Sequence, residues 1–283
     1  MRLKPAINLL FILSLAACGS PSLSDNARQT QILGHGGLGF HGTLSGLIPN
    51  SKASLQEAIL QGYQGVETDV QLSLDRQLVL FHDEFLEHAS NCDGLLALTT
   101  WEDMSNCTYN GLLSNDDDKL WSLDSLMTFC SARGVQPWIS LDVKLYGSDD
   151  NRRSMADSMA EALEKALTRW EGTGRFIVES RSPEFLTGLS RKRPKCLLFY
   201  TCANISEGLS SPCLSVLDGL CLNIKDVDSS GAEAIREAGL KLMIWGATNK
   251  SENYTALGFL PDFLQTDDGG ILDDLENLGG DGR

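Results

Sequence analysis

The sequence predicts an α/β fold, and three observations predict it. Apolar runs rich in β-branched residues alternate with helix-like patterns from end to end, as expected of a parallel sheet or barrel. Such runs fall at residues 31–35, 65–72, 137–144, 176–180, 196–201, 220–224, 240–246 and 263–267, one for each strand of a (β/α)8 barrel. A chain of 283 residues with 42% hydrophobic composition can bury a large core; one α/β barrel accounts for it as well as two ordinary domains, and the reading preferred is one barrel with a β-hairpin and loop insertion after its second strand.

The elements follow in order. Arg2 and Lys4 precede a short apolar stretch that ends in Leu15-Ala16-Ala17-Cys18. The stretch is too short to span a bilayer comfortably, and its charged front and small-residue end are those of a secretory signal. Leu-Ala-Ala-Cys also resembles a bacterial lipoprotein box, which implies a signal peptide over 1–17, lipidation at Cys18 and a tether over 18–29; the barrel domain then takes 30–283. Beyond the first strand, Leu55, Ala58 and Ile59 have helical spacing behind Ser51 and Ser54, either of which could cap. The run 77–82 is an extra strand, folded back on the second by a turn at Asp75-Arg76. From 84 to 120 the alternation breaks. Asn, Asp, Gly, Ser and two cysteines crowd this insertion, and Asp116-Asp117-Asp118 reads as a solvated charge run. Met155, Met159, Leu163, Ala166 and Trp170 then form an amphipathic stripe suited to packing against the barrel.

The formal net charge of -15 argues against nucleic acid or anionic lipid as a partner. Polyanion binding needs basic clusters, and only Arg191-Lys192-Arg193-Pro194-Lys195 resembles one, as a solvated helix end. With Cys18 set aside, seven cysteines remain, so at least one is free in a monomer. Cys92 with Cys107 and Cys202 with Cys213 sit in loop-like sequence at short separations and are the expected disulfides of an oxidising compartment. Cys130, Cys196 and Cys221 lie in apolar patterns and read as small core residues. No CxxC or His/Cys cluster suggests zinc.

Chemistry gathers in three short segments: Gly34-His35-Gly36-Gly37, Gly65-Val66-Glu67-Thr68-Asp69-Val70, and Phe81-His82-Asp83. Side chains two apart in a strand face the same way, so Glu67 and Asp69 present two carboxylates on one face. Both stay ionised and buried only around a cation, and two imidazoles beside that cation make an acid/base set. Asp142 and Lys144 repeat the two-residue spacing. With Pro49-Asn50-Ser51 between the first two segments, the pattern resembles the signature of the glycerophosphodiester phosphodiesterase family: His-Arg-Gly, Pro-Glu-Asn-Thr, Gly-Ala-Asp-x-Ile-Glu-x-Asp-Val and His-Asp, with Glu-x-Lys on the third strand. Two positions depart from it. Gly36 stands where the family has Arg, and Asp142 where it has Glu.

The resemblance implies a (β/α)8 TIM barrel with its site at the carboxyl ends of the strands. It implies His35 and His82 as catalytic acid and base, and Glu67, Asp69 and Asp142 as ligands of Ca²⁺ or Mg²⁺, the hard cations that all-oxygen ligation selects. Lys144 would hold the substrate phosphate, with Asn50 and Asp83 in support. The expected partners are a small glycerophosphodiester and a membrane reached through the lipid anchor, in a bacterial cell envelope. Three functions are open on these residues. The first is a metal-dependent phosphodiesterase releasing sn-glycerol 3-phosphate and an alcohol. The second is a phospholipase, including phospholipase D-like relatives, acting on lysophospholipid or sphingolipid. The third is a non-catalytic surface lipoprotein that keeps the barrel as a binding module, a reading to which Gly36 lends support. Taken singly, a histidine at a strand end is more often structural, as expected for His41 and His88; the pairing of two with a carboxylate cluster is what points to catalysis.

Overall fold

A computed structural model describes residues 29–38, 46–111, 118–146, 149–192 and 194–280. The expected signal peptide, Cys18, the tether as far as residue 28, His41, and Asp116 with Asp117 lie outside the described residues.

Eight parallel strands form the barrel: β1 (Gln31–Gly34), β2 (Gly65–Leu72), β5 (Trp138–Val143), β6 (Arg175–Ser180), β7 (Cys196–Thr201), β8 (Gly219–Asn223), β9 (Lys241–Ala247) and β10 (Phe263–Thr266). Each pairs with the next in this order, and β10 pairs with β1. The ring closes where Leu33 and Gly34 of β1 meet Gly65 and Val66 of β2. Because β1 ends there, the rest of that β2 edge is open. β3 (Leu78–Leu80) takes it in the antiparallel sense, with Val70 opposite Leu80 and Leu72 opposite Leu78. The turn between them uses Arg76 in the left-handed region, at φ 64. A two-residue strand β4 (Trp121–Ser122), not anticipated from the sequence, pairs on the far side of β3.

Alternation along each strand divides the core. Val66 and Val70, Ile139 and Leu141, Phe176 and Val178, Leu198 and Tyr200, Leu242 and Ile244 pack outward beneath the helices. The intervening positions Leu33, Ile177, Phe199, Cys221, Met243 and Phe263 fill the barrel interior. There the Phe263 ring meets Trp138 edge-on at 5.1 Å and Phe199 at 5.8 Å, a geometry that aligns ring edges with ring faces. Above this apolar layer the same inward positions turn polar, and the layer forms the floor of the site.

Helix Lys52–Leu60 starts at Ser51, whose hydroxyl accepts from the Ser54 N–H, and it buries Leu55 and Ala58. Helix Asp149–Arg169 carries the long stripe: Met159, Leu163 and Ala166 are buried, with Trp170 packed just beyond its end. The insertion after β3 has its own small core of Val79, Phe81, Leu86, Leu96, Met104, Cys107, Tyr109 and Leu120. Cys92 and Cys107 are bridged in it, 15 residues apart. In the chain-entropy picture a loop of that size contributes about 3 kcal/mol. Asp118, expected in a solvated run, is instead buried beside this core.

The second expected disulfide is not present. Cys202 and Cys213 are both free and buried. The segment between them is not an open loop but carries helix Ile205–Leu209, and each cysteine packs into the main core as a small apolar side chain. The Cys213 sulfur lies 3.1 Å from the Ser211 hydroxyl, and burial pushes the Cys202 thiol up to about 12. Cys130 and Cys221 are buried thiols as expected, and Cys196 is half-buried.

Candidate active site

Period-two alternation sends the last inward side chain of each strand toward the carboxyl mouth of the barrel. There Glu67 and Asp69, Asp142 and Lys144, Glu179 and Arg181, Thr201, Trp245 and Gln265 join His35 and His82 around a cavity of about 200 Å³.

One oxygen from each of Glu67, Asp69 and Asp142 lies within 4.8 Å of the others, a grouping able to hold a metal ion. β2 and β5 set this up by register, since Asp69 pairs directly with Asp142 across the sheet. Two of the three carboxylates are fixed from behind. The Gly36 N–H donates to Glu67 Oε2 at 2.9 Å, and the Asn50 amide donates to Asp69 Oδ2 at 2.7 Å. Asn50 is buried at φ 65, and its Oδ1 also accepts from the Thr68 hydroxyl and the Asp69 N–H. Short polar side chains tolerate this left-handed backbone better than most, and the three bonds give Asn50 a structural reason to be there.

The electrostatics ask for a cation. Burial pushes the Glu67 carboxyl well above its ordinary range, and Asp69, Glu179 and Asp142 add to the rise against the opposing field of His35. Burial likewise raises Glu179 to about 7, with Asp142 contributing; its carboxylate accepts from Ser140 and from the Gln265 amide. Lys144 supplies the charge within the protein. Its ammonium sits 2.6 Å from Asp142 and 2.9 Å from Asp69, so the residue expected on a phosphate is engaged with two of the candidate ligands. A divalent ion fits this donor set: three oxygen acids already converge, and an ammonium is drawn in between two of them.

His35 follows β1 and is largely buried. Its Nδ1 lies 2.6 Å from Asp267, and its Nε2 lies 3.7 Å from Glu67. Burial opposes protonation of the ring, but the Asp267 hydrogen bond and the fields of Glu67, Asp267 and Asp69 outweigh it and raise the imidazole to about 9. His82 arrives by the hairpin. β3 runs back along β2 until the Phe81 N–H donates to the Asp69 carbonyl, which brings His82 to the level of the carboxylates. Gln71 secures the turn by donating to the Phe81 and Asp83 carbonyls at 2.8 and 2.7 Å, while the His82 carbonyl accepts from Tyr146. His82 Nδ1 lies 3.0 Å from Asp83.

The sequence-derived residues His35, Glu67, Asp69, His82, Asp142 and Lys144 thus meet in one cavity, with Asn50 and Asp83 directly behind. His88 does not; it is exposed on the insertion. Asp267, Glu179, Gln265 and Arg181 were not singled out by their own motifs. Their signal was parity: each stands in the inward phase of a strand, or one step beyond its end, where the alternate residues are apolar.

A sequence profile of the glycerophosphoryl diester phosphodiesterase family matches residues 41–270. The uncharacterized protein YqiK of Bacillus subtilis is 26% identical over 171 residues, which cover 59% of this chain and 64% of that protein. A glycerophosphodiester phosphodiesterase of Bacillus altitudinis is 35% identical over 76 residues, 27% of this chain and 29% of that one. The chain therefore spans less than two thirds of the length of these two relatives. An Oleispira antarctica phosphodiesterase, solved with the product sn-glycerol-3-phosphate, superposes with a TM-score of 0.73 at 19% identity, covering 89% of this chain and 98% of that one. With the profile matching most of its length and the barrel shared, the chain belongs to the glycerophosphoryl diester phosphodiesterase family.

Proposed function

We propose that the protein is a metal-dependent phosphodiesterase that hydrolyses glycerophosphodiesters to sn-glycerol 3-phosphate and an alcohol. The observation that carries this reading is the convergence of two histidines, each backed by a carboxylate, on the cavity that holds the Glu67, Asp69 and Asp142 cluster. Those three residues would hold Mg²⁺ or Ca²⁺, whose charge would neutralise a non-bridging phosphate oxygen. The chain's own groups move the protons. His35 has Nδ1 committed to Asp267 and offers Nε2 to the cavity; His82, with Nδ1 beside Asp83, does the same from the hairpin. One ring accepts the proton of the attacking hydroxyl as a new P–O bond forms, from water to give sn-glycerol 3-phosphate directly, or from the substrate's own glycerol to give a cyclic phosphate whose ring P–O bond a water then opens. The other donates a proton to the departing alkoxide as the old P–O bond breaks.

Incubation of the purified protein with glycerophosphocholine, glycerophosphoethanolamine and lysophospholipid tests the reading. Release of sn-glycerol 3-phosphate from the first two, lost in chelator and restored by Mg²⁺ or Ca²⁺, is expected. Turnover of lysophospholipid alone would select the phospholipase, and no turnover with any divalent ion would select the binding module. Lipid anchoring through Cys18 at a bacterial envelope is a separate part of the proposal. It requires membrane fractionation to recover the wild-type chain with lipid and the Cys18→Ala chain without it.

A further inference from the structure

We propose that Arg181 is the side chain that grips the substrate's phosphate, from the β6 side of the cavity. The proposal rests on the phosphodiesterase reading and names a residue that reading does not require.

Four carboxylates, Glu67, Asp69, Asp142 and Glu179, line the cavity that must admit an anion. Of the cationic groups there, the Lys144 ammonium is between Asp142 and Asp69, and His35 is held by Asp267. Gly36 has no side chain to offer, and its N–H is committed to Glu67. Arg181 differs. It follows Ser180 at the end of β6, in inward phase with Ile177 and Glu179, and it lines the same cavity. Among the described residues no carboxylate forms an ion pair with its guanidinium. The acid that feels its field, Glu207, has its oxygens on the Tyr200 hydroxyl at 2.6 Å and the Ala203 N–H at 3.0 Å.

A second, independent feature lies beside it. Thr201 Oγ1 on the neighbouring strand β7 and Trp245 Nε1 on β9 are buried polar atoms of the same cavity wall, and neither has a hydrogen-bond partner among the described residues. Buried donors without acceptors are costly to leave unmet. A fork of guanidinium N–H groups with hydroxyl and indole donors alongside matches the several oxygens of a phosphate, and a planar guanidinium can hold two of them at once. Arg181, Thr201 and Trp245 therefore bring donors to the β6–β9 side, whereas Glu67, Asp69 and Asp142 bring carboxylates from β2 and β5.

Isothermal titration with sn-glycerol 3-phosphate, in Mg²⁺ or Ca²⁺, tests the assignment on wild type, Arg181→Ala, Arg181→Lys and Arg191→Ala. Loss of a charge-assisted hydrogen-bond pair predicts binding weakened about 10- to 100-fold in Arg181→Ala. Arg181→Lys should recover only part of it, because an ammonium is a point donor. Arg191→Ala removes an equal charge at an exposed helix end and should change affinity less than twofold. With glycerophosphocholine, Arg181→Ala should raise KM in proportion, and its melting temperature should match wild type because the side chain is exposed. Equal binding by Arg181→Ala and wild type, equal losses in Arg181→Ala and Arg191→Ala, or no binding by wild type would each overturn the assignment. A wild type that binds sn-glycerol 3-phosphate through Arg181 yet hydrolyses no diester would instead defeat the phosphodiesterase reading while leaving Arg181 as the anion grip.

Discussion

His35 and His82 reach one cavity by opposite routes. His35 leaves a barrel strand, is 20% exposed, and is clamped by an acid from the last strand, 232 residues away. His82 leaves an appended hairpin, is 55% exposed, and among the described residues has its chain neighbour Asp83 as its ion-pair partner. The first is positioned by closure of the barrel; the second is positioned through its backbone, held by Gln71 of β2 and by Tyr146 from just beyond β5. The difference teaches that two histidines facing one cavity need not share one kind of support. A buried ring is tuned by its environment, whereas an exposed ring depends on where the backbone delivers it.

The comparison breaks most visibly if the exposed histidine is dispensable. Substituting His35→Ala or His82→Ala should each lower kcat/KM on glycerophosphocholine by about 10²–10⁴-fold, and the double variant should be hardly worse than either single one, since groups acting as a unit lose their effect together. Steady-state kinetics check this, with circular dichroism showing the fold retained. Activity of His82→Ala within tenfold of wild type would mean that the hairpin histidine is structural and that proton transfer belongs to His35 alone.

Much of this comparison was legible in sequence because the informative residues are close along the chain. Glu67 and Asp69 share a face by strand parity, and the hairpin that returns His82 to them follows from the turn at Asp75-Arg76. The observed β2 spans the expected 65–72. What escaped the sequence depends on closure. Asp267 lies at the end of the expected last strand, but its contact with His35 requires β10 to pair with β1, and no local pattern announces that. Lys144 was legible as a cation near the site, whereas its commitment to Asp69 and Asp142 is a matter of three-dimensional charge balance. The Cys202 and Cys213 pairing failed for a related reason. Short separation and loop-like composition cannot show that both sulfurs are taken up by the core.

The two supporting acids sharpen the comparison at smaller effect. Asp267→Asn should lower kcat by about 10- to 100-fold, the range for partners that orient a functional histidine, whereas Asp83→Asn should cost less than tenfold because its histidine is solvent-exposed and its acid only adjacent. A structural role alone would not move the next readout. In chelated protein, the His35 ring protons followed by NMR should titrate near 9, and in Asp267→Asn the midpoint should move down, since one of the carboxylates that raise it has lost its charge. The sign carries into stability. A histidine whose folded pKa is raised stabilises the fold fully below its unfolded pKa of about 6.5, and that contribution is lost as pH rises through about 9. Asp267→Asn should therefore lower the melting temperature of the chelated protein at pH 6 more than at pH 9.5. Equal losses at the two pH values, with an unmoved His35 titration, would make Asp267 a packing residue and leave the two histidines supported alike.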